Sequence, residues 1–451
     1  MGTARRTFLK LAASMLCVRG ASAQTPFLRD LPTFDGELAY DRETREAAAN
    51  DWGREIHRPP AAVLKPTSAT DVARLVTYAN KNHLKIAMRG QGHSVCGQAQ
   101  VLSGIVIDSS TLNSVRWQGK DQLDAQPGAQ WDSVARTALQ QSRTPPVMPD
   151  ALMLTVGGTL SAGGTGETSC RFGAQVDHVL ELDVVTGRGD LVTCSPSRNE
   201  ELFHMVLAGL GQCGIIVRAR LRLVDAPKYV LRRTSTYGDS DALVGEAARV
   251  ANAGAVPMLG GEITKDSDGR WRMALVVGTF SDEPSLPYWD YLDRRTASVA
   301  ATKAKGIPNP SLALVLPERS VQSFLSSVLS DPEAAAGIWR IELLPMITVY
   351  FKQPLHVLPE GTLVFTVRLQ RRASAENAPD HKAMVLVNRA LAQRCIAAGG
   401  KIYPPHAPVL SRQQWQQHYG AQTWQRFAVA KRRFDPNNVL TPGAGVFGVG
   451  L

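Results

Sequence analysis

The chain has 451 residues, 44% of them hydrophobic and 20% charged, and a formal charge of +10. That length suffices for two or three domains with a sizeable core, and the composition carries no disorder signature. No run of about 18 apolar residues occurs, which argues against a membrane-spanning helix, and the basic excess is scattered rather than interleaved with aromatics, which argues against a nucleic-acid binder.

Residues 1–23 read as an export leader. Ala4-Arg5-Arg6-Thr7-Phe8-Leu9-Lys10 is a twin-arginine pattern, a modest apolar stretch runs from Leu11 to Val18, and Ala21-Ser22-Ala23 offers a cleavage site. Ser14 weakens the apolar region and argues against an ordinary secretory leader. The expectation is a periplasmic or secreted bacterial protein, exported folded. Cys96, Cys170, Cys194, Cys213 and Cys395 would remain after cleavage. They are far apart and form no C-x-x-C, so no metal site is expected, and buried free thiols are preferred to a disulfide.

Next, a helix begins at Ser68 or Thr70, with Val72, Leu75, Val76 and Ala79 on its apolar face. A strand, Ile86 to Met88, then runs into Arg89-Gly90-Gln91-Gly92-His93-Ser94-Val95-Cys96-Gly97-Gln98. Glycines let a backbone approach a planar or charged ligand and offer its N–H groups to it. A histidine in such a loop is placed at the ligand. Gly104 to Asp108 is a short buried strand, and a second glycine segment spans Thr155 to Gly166. Val179–Val185 and Leu191–Thr193 form a hairpin. Ser197 to Glu200 reads as a capping box opening a helix with Leu202, Phe203, Val206, Leu207 and Leu210 on one face. Gly209 to Gly214 then fits G-x-G-x-x-G literally, but a helix precedes it and the strand Ile215 to Val224 follows. A dinucleotide fold needs the reverse order, so a nicotinamide enzyme is not expected.

From about Asp225 the texture changes to strands: Met258–Thr264, Arg270–Phe280, Leu312–Leu316, Trp339–Leu344 and Thr362–Leu369, with a helix over about Ala383–Ala398. This predicts an antiparallel sheet with helices on one face. The tail returns to dense motif at Tyr403-Pro404-Pro405-His406, a helix over Gln414–Arg433, and Phe434 to Gly443.

Three separated segments, around His93, from Thr155 to about Val224 and from Tyr403 to Phe447, resemble the cytokinin dehydrogenases of the vanillyl-alcohol oxidase and p-cresol methylhydroxylase (PCMH) superfamily. The resemblance implies an α+β protein: a PCMH-type FAD-binding domain of two α/β subdomains, from residues 24–225 and 401–451, and a substrate or cap domain over residues 226–400. It implies FAD bonded covalently to His93. Flavin-binding roles carry over to Met88, Gly90, Gln91, Gly92, His93, Ser94 and Gln98, to Asp150, Thr155, Ser161 and Thr165, and to Ile216, Tyr403 and Thr441. It implies oxidation of a secondary amine by hydride transfer to FAD, with cleavage of an N6 side chain to adenine and an aldehyde. The electron acceptor would be oxygen or a quinone-like carrier.

Asp150 is the candidate base. Apolar neighbours in Pro149 to Leu154 would dehydrate it; the competing reading is a carboxylate capping a turn. Two departures from the family pattern matter. The family glutamate aligns with Gly260, and Glu262 lies two residues on, on the same strand face about 6.6 Å away. Glu262 either substitutes for it or is simply solvated. Ala444 stands where the family has glutamine. Both changes open the substrate to alternatives: an alcohol, sugar or lactone on the same fold, or a flavin-binding protein without catalysis.

Overall fold

The computed structural model describes residues 30–372 and 381–448. The expected leader, residues 1–23, lies outside them. The first sheet has four strands in the order Glu37–Ala39, Ala62–Lys65, Ile105–Asp108, Ile86–Arg89. The last three are parallel, and the first joins antiparallel. Parallel strands need a crossover, which helix Ala69–Lys81 supplies. The Ser68 hydroxyl caps it by accepting from the Asp71 N–H at 3.2 Å. Val72, Leu75 and Val76 join Leu64, Ile86, Ile105 and Ile107 in one apolar cluster. The 3.6-residue period thus lays this helix on the sheet and aims Ile86–Arg89 at the loop that follows.

The second sheet is antiparallel, in the order Val115–Trp117, Gln122–Ala125, Ile215–Arg222, Val179–Val185, Leu191–Cys194. The third has eight antiparallel strands: Leu286–Pro287, Tyr229–Tyr237, Trp271–Ser281, Met258–Lys265, Ile338–Ile347, Leu363–Arg371, Leu312–Pro317 and Lys401–Ile402. Helices Ser240–Ala253, Glu318–Ser330 and His381–Ala397 pack against it. Alternation along Ile338–Ile347 buries Ile341 and Leu343 completely in the core and turns the intervening residues the other way.

The tail closes the chain on its beginning. The Thr441 N–H donates to Ile86 O at 2.7 Å, and the Ile86 N–H to Val439 O at 2.9 Å. Beneath that contact Lys431 is buried against Asp435 at 2.6 Å and donates to Gln212 O at 2.9 Å.

Two local expectations need correction. The helix after Ser197 runs only over Glu200–Val206, and no capping box opens it. Asn199 sits at φ +50°, with its amide donating to Thr193 O at 2.8 Å, so its side chain serves the preceding turn. The helix stops where Leu207 turns extended, which leaves Leu210 outside it. The tail helix is two helices, Arg412–Tyr419 and Ala421–Phe434, because Gly420 adopts φ +75°, ψ 160° between them. The second glycine segment also holds a short helix, Val156–Ala162. The five cysteines of the described residues are buried and unpaired, and no group of residues there could hold a metal ion.

Candidate active site

The strand Ile86–Arg89 delivers the glycine loop to a cleft between the first two sheets and the third. Two glycines show why the loop takes the path it does. A Cβ on Gly90 would lie 2.2 Å from Thr155 Oγ1, and one on Gly92, which has φ +63°, would strike the Arg89 guanidinium. The loop is held from outside by residues 51–55. The Trp52 N–H donates to Gly92 O at 2.8 Å and to Ser94 O at 3.1 Å. The Gly97 N–H donates to the Asp51 carboxylate at 2.6 Å, and the Cys96 thiol to Glu55 at 3.0 Å. From the tail, Pro405 O accepts the Val95 N–H at 2.9 Å and Pro404 O accepts the Gln98 amide.

His93 is consequently fixed. The Trp52 ring lies 4.4 Å from its own, and the His406 ring stands edge-on at 6.0 Å. Its Nδ1 is buried and has no hydrogen-bond partner. Burial foremost, aided by the Arg368 and Lys303 charges, pushes the imidazole down to about 3. It is a neutral imidazole with a free nitrogen, the form that can bond to carbon.

Every cofactor-binding residue expected from the sequence, from Met88 to Thr441, lines this one cleft. Thr441 reaches it at φ +46°, its hydroxyl donating to Gly211 O at 3.1 Å. Tyr403 reaches it from the edge of the third sheet, with its phenol 3.4 Å from Gly163 O. A glycine cradle, threonine and serine hydroxyls and an orphaned buried imidazole nitrogen fit a large planar cofactor bearing a diphosphate.

The other end of the cleft corrects the expected surroundings of Asp150. The carboxylate is buried as expected, but arginines face it. Arg368 lies 3.2 Å and Arg295 3.4 Å from its carboxylate. Burial alone would raise the carboxyl; Arg295, Arg368, Arg294 and Arg340 together outweigh it and hold it below the usual range. Glu342 is the hub of the cluster, 2.5 Å from Arg295, 3.0 Å from Arg340 and 3.1 Å from Arg368. Arg368 Nε is buried without a partner.

Glu262 takes no part in the cleft lining. It pairs with Arg340 at 2.6 Å and keeps a third of its side chain exposed. Strand register explains this: Glu262 stands opposite Glu342, and Glu342, one strand nearer, occupies the wall. Sequence reasoning missed Glu342, Arg295, Arg340 and Arg368. The available signal was a charge amid apolar residues of a strand, as in Ile341-Glu342-Leu343 and Val367-Arg368-Leu369.

Comparison with known proteins agrees with this geometry. Residues 60–195 match a family model described as an FAD binding domain, and residues 275–447 one described as "Cytokinin dehydrogenase 1, FAD and cytokinin binding". The chain is 33% identical to an oxidoreductase, ORF5 of the fasciation locus of Rhodococcoides fascians, over 88% of this chain and 96% of that one. It is 30% identical to cytokinin dehydrogenase 2 of Arabidopsis thaliana, over 93% and 95% respectively. The crystal structure of 6-hydroxy-D-nicotine oxidase from Arthrobacter nicotinovorans shares the fold, with a TM-score of 0.74 at 21% identity, covering 91% of this chain and 98% of that one.

Proposed function

The chain belongs to the cytokinin dehydrogenase family of FAD-dependent oxidoreductases, and we propose that it oxidises a secondary amine of the N6-substituted adenine type with its FAD joined covalently to His93. The supporting observation is the pairing, in one cleft, of a neutral imidazole nitrogen without a partner and an ionised carboxylate. FAD, once bound, supplies the two-electron acceptor for the hydride leaving the carbon next to nitrogen. Asp150 accepts the amine proton. Arg295 and Arg368 keep that carboxylate anionic and aimed. Water then adds to the imine and releases the primary amine and an aldehyde. The reoxidising partner is oxygen or a quinone-like carrier. Export in folded form through the Arg5-Arg6 leader belongs to the same proposal.

The test is anaerobic mixing of the holoprotein with N6-isopentenyladenine, which should bleach the flavin absorption. His93→Ala should leave no flavin in the acid-precipitated protein. Asp150→Asn should keep the flavin and lose about 10²- to 10⁴-fold in kcat/KM. An Asp150→Asn enzyme of full activity would remove the assigned base. A second reading, oxidation of an alcohol, sugar or lactone, draws on the polar wall of Arg340, Glu342 and Arg368, which suits a hydroxylated donor. Bleaching by a sugar panel and not by the amine would select it.

A further inference from the structure

Ile338 pairs with Arg371 and Arg340 with Gln370, so two steps of one strand are set against one of its neighbour. This is a β-bulge with Trp339 as the extra residue, a device that re-aims side chains beside functional sites. In an unbroken strand neighbours point to opposite faces. Here Trp339 and Arg340 both line the cleft. Trp339 stays 38% exposed. The Arg372 guanidinium lies over its ring, 5.0 Å from the centroid, and also reaches the Thr302 hydroxyl at 3.4 Å. Thr302 belongs to helix Thr296–Ala304 and lines the cleft too. The indole is therefore braced by a cation that links the strand to that helix. Arg340 and Gln370 flank it with groups able to meet the edge nitrogens of a heterocycle.

We propose that Trp339 is the stacking platform for a planar, purine-type ring of the substrate, and so a specificity-determining residue. The proposal deepens the amine-oxidation reading and rests on it for the identity of the reacting group. Stacking on an aromatic side chain contributes about 1–3 kcal/mol per base, roughly 5- to 150-fold in affinity.

Adenine binding to the holoprotein, followed by equilibrium dialysis, and steady-state oxidation of N6-isopentenyladenine test it together. Trp339→Ala should raise the adenine Kd and the KM about tenfold or more, with kcat within about twofold. Trp339→Phe should restore most of both. A secondary allylic amine without a ring should be oxidised equally by all three proteins. An unchanged adenine Kd in Trp339→Ala, or no adenine binding by the unsubstituted protein, overturns the platform. Trp339-dependent adenine binding without oxidation of any N6-substituted adenine upholds the platform and removes the amine reading instead.

Discussion

At Asp150 the balance between burial and charge decides the chemistry. A buried carboxyl without partners would be pushed up and protonated near neutrality. The guanidinium groups around Asp150 reverse that shift, so it is an anion across the physiological range. It can take a proton without first losing one. The acid limb of kcat/KM that belongs to Asp150 is therefore expected below the ordinary carboxylate range. Replacing a cation with a neutral chain, Arg295→Met, should move that limb to higher pH, because the largest charge opposing burial is gone. A pH profile of the variant checks this, and a limb that stays in place would show that Arg295 does not govern the carboxylate. Glu342 meets the same demand from the other side: it lets three cations share a wall without leaving any of them unopposed.

Single backbone conformations shape the elements around the site. Gly420 ends one helix and begins the next at φ +75°, ψ 160°, a region open almost only to glycine. Nothing lies within 4 Å of a Cβ built there, so an added methyl group meets no clash and only the backbone is strained. Gly420→Ala is expected to lower stability by about 1–3 kcal/mol, read as a drop in the urea midpoint. An unchanged midpoint would mean that the turn relaxes into a form alanine accepts. The break matters because it lets Ala421–Phe434 carry Lys431 and Asp435 under the tail, which then holds Thr441 at the cleft. The bulge at Trp339 belongs to the same scale: one extra residue redirects a side chain that regular pleating would have pointed away.

Across the whole molecule, burial has made several histidines neutral. His356 is pushed down to about 4, His418 to about 3, and His406 well below its ordinary value. The unfolded chain binds protons at these imidazoles below about pH 6.5, and the folded chain does not, so acidification removes stability. Each contributes about 1.4 kcal/mol per pH unit in that window. Asp51, which burial raises to about 6, and Glu55, also raised by burial, act in the opposite sense. Protonation of those carboxyls favours the folded state as pH falls. With His93 and His178, also lowered by burial, the histidines act first and outnumber these carboxyls even with Asp177, raised in the same way, so the thermal midpoint is expected to fall between pH 7 and pH 5. A midpoint that rises over that interval would contradict the neutral-imidazole description.

What the amino-acid order determined unaided was local and periodic. The apolar repeat at Val72, Leu75, Val76 and Ala79 defines a helix. The alternation from Met258 to Leu369 defines the large antiparallel sheet, and the glycines from Gly90 to Gly97 mark the loop that places His93 at a ligand. Each of these rests on neighbours within a turn or a strand, so one stretch of chain suffices to read it. The charge cluster was not legible in that way. Asp150, Arg295, Glu342 and Arg368 are scattered over more than two hundred residues and meet only because register sets Glu342 opposite Arg368 and the chain folds Asp150 and Arg295 over that pair. Glu262 and Glu342 look equivalent along the chain, since both are acids within strands. The two stand opposite each other, and only the order of strands in the sheet, with Ile338–Ile347 between Met258–Lys265 and Leu363–Arg371, decided which of them reaches the cleft, because a strand's own pattern specifies the face of a side chain and never its neighbours across the sheet.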